Sequence, residues 1–385
     1  MTNVICKNHV LKYLSLKLID MKGIFRIGKI SGIKIEVHWT FTLLLIWVAF
    51  LEIQKGSGLN RILLNEALIL VLFFCVVLHE LGHALTAKKF GVNTKNILLL
   101  PIGGVATLEK MPEKPAQELL IALAGPAVNV VIALLLLLVV PVRSYFNFDS
   151  IVLEEMLFEA TFQNFLFYLF VANVMLVVFN LIPAFPMDGG RILRALLSFK
   201  LGRVSATDIA ASIGQGLAFV FFVLGLFFNP FLILIALFIF LGAYGENQMV
   251  KQGDLLKGHL VKEATLINIT KLQANNSVEE VITILLAGNE KDFVVVENEK
   301  IIGVLTQKDV IKNAKTPSMI VGDIMQRKFK TVDVSMEISK VLEMIGKEKN
   351  NFYPVVENGL LVGAIDTTNI SEFILIKTSS LDKVE

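Results

Sequence analysis

The chain has 385 residues, 55% of them hydrophobic, with a mean hydropathy of +0.68. That is too apolar for a single soluble globule, and several runs exceed the ~18 apolar residues that mark a membrane span. A formal net charge of +2 argues against a nucleic-acid binder, and two cysteines, Cys6 and Cys75, make no disulfide framework and read as free thiols.

Residues 1–20 carry lysines but no long apolar core and no small-residue cleavage site, so they do not read as a signal peptide. Met21 opens a stretch that reads as a start in its own right, which would make 1–20 an extension. Residues 33–37 alternate like a strand. Six spans are expected, at 37–53, 66–87, 118–140, 162–183, 211–228 and 230–246, the last two joined at Asn229-Pro230. Orientation follows from Lys and Arg in the short loops. Seven precede the first span, five lie in 88–117 and four in 189–207. The alternate loops hold only Lys55 and Arg61, then Arg143, then none. The expectation is a multi-pass protein of the cell membrane with both termini cytoplasmic.

The second span contains His79-Glu80-Leu81-Gly82-His83. Residues four apart share one helix face. Both imidazoles therefore reach one metal ion, with Glu80 beside them as a general base. An H-x-x-x-H alone is as readily a pair of hydrogen-bonded core histidines. In hydrocarbon, however, an ionisable cluster is costly and marks a functional site. On the inward-running second span His79 lies ~20 Å from the outer end, in the cytoplasmic third of a ~30 Å core. The fourth span also runs inward, and Asp188 lies at its inner end. Before Gly189-Gly190 an Asp is commonly a turn residue. At matching depth it reads as a third ligand, leaving a fourth position open as catalytic zinc requires.

Pro183 and Pro186 should break the fourth helix before Asp188. Freed backbone groups at that depth need protein or a water cavity around them. Asn180 and Asn129 are polar residues inside spans. Either would serve as an oxyanion donor or as interhelical glue. Residues 97–108 are apolar but interrupted by Pro101 and Gly103-Gly104, which suits a re-entrant hairpin beside the site. Gly103 and Gly104 join the substrate-side candidates, since the hairpin could hold an extended substrate by strand addition.

HisGluLeuGlyHis, together with AsnLeuIleProAlaPheProMetAspGlyGly at 180–190, resembles the site-2 protease family of intramembrane zinc metalloproteases. IleGlyGly at 102–104 and AlaGlyProAlaValAsn at 124–129 are similar to further motifs of that family. The resemblance covers residues 22–245. It implies zinc on His79, His83 and Asp188, Glu80 as base, and a role for Asn180 or Asn129 near the scissile carbonyl.

After a linker at 247–258 come two similar units, 259–315 and 316–378, each read as helix, strand, strand, helix. ValGluAsn recurs at 296–298 and 356–358, and a Gly at 303 and 363. Units this small bury their cores by pairing. They resemble a tandem CBS domain pair, which implies a cleft for ATP, ADP or AMP, with Thr306 and Asp309 as contacts. Asn369 replaces the Asp in the second copy. The alternative use of such a pair is a dimerisation module that binds nothing. The fold class expected is thus a polytopic α-helical membrane protein of about six transmembrane helices with a C-terminal soluble α/β CBS-pair domain. The function expected is zinc-dependent hydrolysis of peptide bonds in or near the transmembrane segments of other membrane proteins. The rival reading is a CBS-gated transporter or channel. It is disfavoured by the lack of two similar halves.

Overall fold

The computed structural model describes residues 23–381 apart from 102, 109–111, 113, 143–144, 146–158, 160, 289, 317 and 349. Cys6 and the segment 1–20 lie outside the described residues. The chain divides into two compact units, Met1–Asn247 and Gln248–Glu385.

The first unit begins with strands β1 (Ile24–Ile30) and β2 (Ile33–His38). Ser31 and Gly32 between them have φ of 51° and 94°, the left-handed pair that a two-residue hairpin turn needs. Two apolar helices follow, α1 (Thr40–Gln54) and α2 (Leu59–Lys89). Then come β3 (Thr94–Leu100) and β4 (Gly103–Leu108). The remaining helices among the described residues are α3 (Pro115–Val139), α4 (Phe162–Leu181), α5 (Asp188–Leu201), α6 (Arg203–Phe227) and α7 (Phe231–Leu255). Helices α2, α3, α4, α6 and α7 are long and apolar enough to cross a membrane.

The expected first span is different. Helix α1 has 15 residues, about 22 Å at the α-helical rise and short of a ~30 Å core. Its N-terminal part is lost to β2. IleLysIleGluValHis is β-branched and alternating, and it pairs with β1 on one side and β3 on the other. Among the described residues, the six expected spans become five helices of spanning length and one shorter apolar helix.

The four strands form one sheet in the order β1-β2-β3-β4, with β2 and β3 parallel and the other pairs antiparallel. The expected hairpin at 97–108 is β3–β4, with Leu99 opposite Gly104 and Leu100 opposite Gly103. Ile33, Ile35, Ile97 and Leu99 bury themselves against the stripe Phe73, Val77, Leu81 and Ala84 of α2. These positions recur at helical spacing. The sheet therefore occupies one face of α2 and leaves the stripe Cys75, His79, His83 to α3 and α4.

Among the described residues of this unit, one charged side chain is fully buried. Arg194 on α5 donates from Nε to Glu118 Oε1 on α3 at 2.8 Å and from Nη1 to Glu246 Oε1 on α7 at 2.5 Å. Its guanidinium lies 4.9 Å from the centroid of the Phe185 ring. A buried cation persists only when paired in this way, and removing one partner of such a set costs about 3–5 kcal/mol. The network binds the helix that begins with Asp188 to α3 and α7.

The second unit repeats one pattern. Strand β5 (Lys271–Leu272), helix α8 (Val278–Ala287), strands β6 (Phe293–Glu297) and β7 (Lys300–Leu305), and helix α9 (Gln307–Asn313) form the first copy. After a short helix α10 (Val321–Ile324), the second copy comprises β8 (Val332–Asp333), α11 (Ile338–Glu348), β9 (Phe352–Glu357), β10 (Leu360–Asp366) and α12 (Thr367–Leu381). Each copy has a three-stranded sheet. Val294, Val296 and Val304 of one copy share a core with Phe352 and Ala364 of the other, so the copies bury their faces on each other. The recurrent glycine has a steric reason. A Cβ on Gly303 would stand 2.6 Å from Met325 Sδ, and one on Gly363 would stand 2.2 Å from Leu266 O.

Candidate metal centre

His79 and His83 lie one turn apart on the buried face of α2 and are 6% and 5% exposed. Asp188, 7% exposed, is the first residue of α5. Helix α4 ends at Leu181, and Pro183 and Pro186 fall in the connection that follows. The chain then turns back through bonds from Ala184 N to Ile182 O and from Met187 N to Ala184 O. The turn is tight. A Cβ on Gly189 would meet Ile182 O at 2.2 Å, and one on Gly190 would meet Ala184 C at 2.6 Å. The two glycines let α5 start against the end of α4, which aims Asp188 at α2.

The three ligand atoms converge. Asp188 Oδ2 is 3.2 Å from His79 Nε2 and 3.0 Å from His83 Nε2, and the two Nε2 atoms are 3.1 Å apart. The other ring nitrogens are engaged elsewhere. His83 Nδ1 donates to the Ile121 carbonyl at 2.6 Å, and His79 Nδ1 donates to Asn129 Oδ1 at 2.5 Å. Asn129 in turn donates from Nδ2 to Asn173 Oδ1 at 2.8 Å. A carbonyl oxygen only accepts, so each Nδ1 carries the proton and each Nε2 of a neutral imidazole presents a lone pair. Two lone pairs and a carboxylate oxygen then face one another in a buried space with no donor between them. Such a donor set fits a divalent cation, and the hydrogen bonds behind it are the usual means of fixing metal-binding histidines. Among the described residues, His79, His83 and Asp188 are the group of His, Cys, Asp and Glu so placed, with ligand atoms within 4.8 Å of one another.

Helix α3 walls this space. A Cβ on Gly125 would stand 2.1 Å from His83 Nε2 and 2.7 Å from His79 Nε2, so only glycine leaves room for the imidazoles and an ion. Gly82 of α2 makes the matching approach, with a Cβ position 2.7 Å from Ala124 O. Glu80 lies outside the three-atom cluster. It faces the sheet, where a Cβ on Gly104 would be 2.9 Å from Glu80 Cγ and 3.5 Å from Oε1. The edge strand β4 thus passes directly over the carboxyl group. Gly103, at φ +134°, makes the β3–β4 turn, and no atom lies within 4 Å of its Cβ position.

The asparagines separate. Both polar ends of the Asn129 amide are used, one on His79 and one on Asn173. Asn180 donates to Leu176 O in its own helix at 2.9 Å and makes no described bond to the cluster. Asn173, which the sequence reading passed over, is fully buried and also donates to Leu169 O at 2.8 Å. Its signal was the same as that of Asn129, an amide in an otherwise apolar span.

In the second unit Thr306 and Asp309 form a capping box at the start of α9. Thr306 Oγ1 donates to Asp309 Oδ2 at 2.6 Å, and Gln326 Nε2 donates to the same oxygen at 2.8 Å. Asp366 and Asn369 make the equivalent cap in the second copy, with Asn369 N donating to Asp366 Oδ1 at 2.8 Å. Nearby, burial pushes the Asp292 carboxyl up from its ordinary value although it accepts from Gln307 N at 2.9 Å.

A His-Glu-x-x-His helix joined by a remote Asp, within a bundle of apolar helices, has the make-up of a membrane metalloprotease. Comparison with known proteins agrees. The model of peptidase family M50 matches residues 67–224, and the CBS domain model matches 261–315 and 321–376. The zinc metalloprotease MJ0392 of Methanocaldococcus jannaschii is 38% identical over 348 residues, which cover 90% of this chain and 94% of the relative. Stage IV sporulation protein FB of Bacillus subtilis is 32% identical over 136 residues, covering 34% of this chain and 41% of that protein. Among solved structures, the site-2 protease from Methanocaldococcus jannaschii is 44% identical, covers 58% of this chain and 95% of its own, and has a TM-score of 0.42. The chain belongs to peptidase family M50, the site-2 protease family of zinc metalloproteases, and carries a C-terminal tandem CBS pair.

Proposed function

We propose that the protein hydrolyses peptide bonds within or beside transmembrane segments of other membrane proteins. His79, His83 and Asp188 hold the zinc, and Glu80 is the general base. The observation that carries this is the convergence of two Nε2 lone pairs and Asp188 Oδ2 with both Nδ1 protons already committed. When bound, zinc supplies Lewis acidity toward a water and toward the scissile carbonyl. Glu80 takes the proton of the attacking water and returns it to the leaving amine. Asn129 keeps the His79 ring in place, acting through the histidine rather than on substrate.

The substrate must be extended at the cut, because a helix hides its carbonyls. Strand β4 is a sheet edge over Glu80 and offers unpaired backbone groups to such a segment. The membrane holds the protein with both termini on the cytoplasmic side, in keeping with the Lys and Arg bias of the loops. The CBS pair takes an adenine nucleotide; the recurrence of two capped helices, at Thr306 and Asp366, supports a paired cleft. Comparative membrane proteomics of intact and Glu80→Gln cells tests the protease reading. Transmembrane fragments should vanish in the variant, and an unchanged fragment set would remove it.

A further inference from the structure

We propose that the first unit also carries a binding site for a phosphate-bearing anion, in the cavity between the last turn of α2, the β1–β2 turn and the start of β3. The cavity measures about 290 Å³, more than a phosphate group fills. Among the described residues, Lys88, Lys95, Asn93, Thr94, Ser31 and Gly32 line it, and no carboxylate does.

Thr94 is the residue that asks for a ligand. It is 8% exposed, and its Oγ1 is buried with no hydrogen-bond partner among the described residues. A buried hydroxyl is normally bonded. Lys88 Nζ donates to Ser31 O at 2.8 Å, which holds its ammonium against the cavity wall. Gly32 has φ +94° and nothing within 4 Å of its Cβ position, so the turn leaves that side open. Two lysines, an asparagine and a threonine, with no acid among the described lining residues, carry the kinds of donor that a phosphate accepts from.

The place favours the same chemistry. Helix α2 is of membrane-crossing length, and Lys88 and Lys89 stand in its last turn. The cavity is therefore at the level where the helix leaves hydrocarbon and meets headgroups, where basic residues attract anionic lipid. A lipid phosphodiester and free phosphate present the same oxygens to it.

Native mass spectrometry of the detergent-solubilised full-length chain decides the matter. It is titrated with phosphatidylglycerol and with phosphatidylcholine, and inorganic phosphate is added as competitor. Phosphatidylglycerol should bind roughly tenfold tighter than phosphatidylcholine, as two lysines at a membrane surface imply. The Lys88→Ala/Lys95→Ala variant should lose that preference. Thr94→Val should weaken binding, while Thr94→Ser should keep it. If the lysine variant does not purify, the contrast between the two Thr94 variants decides. Displacement of phosphatidylglycerol by millimolar phosphate would make free phosphate a ligand as well, and failure to displace would assign the site to the lipid headgroup. Equal binding of the two lipids, or a preference that survives every variant, overturns the proposal.

Discussion

Asn129 shows how far a single residue can be read from sequence. An amide inside an apolar span announces a polar task, but two tasks were open, an oxyanion donor or a bond between helices. The crossing of α2 and α3 puts Oδ1 of Asn129 on His79 Nδ1 and turns Nδ2 toward Asn173. That crossing depends on Gly82 and Gly125, whose close approach no local pattern announces. His79, Glu80 and His83 were legible for the opposite reason, since their spacing is a property of one helix. The role of Asn129 has a measurable consequence. Asn129→Ala removes the acceptor that fixes the ring and its tautomer, and the expected loss is roughly 10–100-fold in zinc affinity. Competition against a chelator of known affinity measures it, and an unchanged affinity would mean that the bond to His79 does not tune the site.

Helices and strands were legible wherever their periodicity is local. Residues 97–108 read as an interrupted apolar run, and β3–β4 is the hairpin they form. That this hairpin joins β1 and β2 in one sheet was not legible, because the β2–β3 pairing links Lys34 to Asn96 across two helices. The same long-range pairing shortens α1, since residues 37 and 38 go to the strand. Helix α5 was expected only as a charged loop. Its Arg194 counted as a topology signal in the sequence, whereas in the fold it is a buried tie to Glu118 and Glu246. The loop rule itself remains testable element by element. A cysteine at Gly56, between α1 and α2, should react with an impermeant thiol reagent added outside intact cells, and one at Lys200, near the end of α5, should not. External labelling at Lys200 would reverse the orientation of α2 and move the metal centre to the other leaflet.

At the scale of the whole molecule, the division into a membrane unit and a two-copy α/β unit follows from the apolar spans of the first part and the repeated ValGluAsn and Gly of the second. What composition leaves out is whether the second unit controls the first. If adenine nucleotide binds two states of the protein with different affinity it shifts them, and a tenfold change in activity needs only ~1.4 kcal/mol of difference. Calorimetry on the full-length chain should therefore give binding heat with AMP, ADP or ATP that Asp309→Ala reduces. Heat at the dilution level with all three would leave the pair as a structural module. Three residues holding a zinc that a fourth uses is the central claim, and zinc content per purified chain tests it most directly. The intact protein and Glu80→Gln should each carry about one zinc, with cleavage lost only in the second, while His79→Ala/His83→Ala and Asp188→Ala carry little or none. Stoichiometric zinc in the double histidine variant would contradict the account.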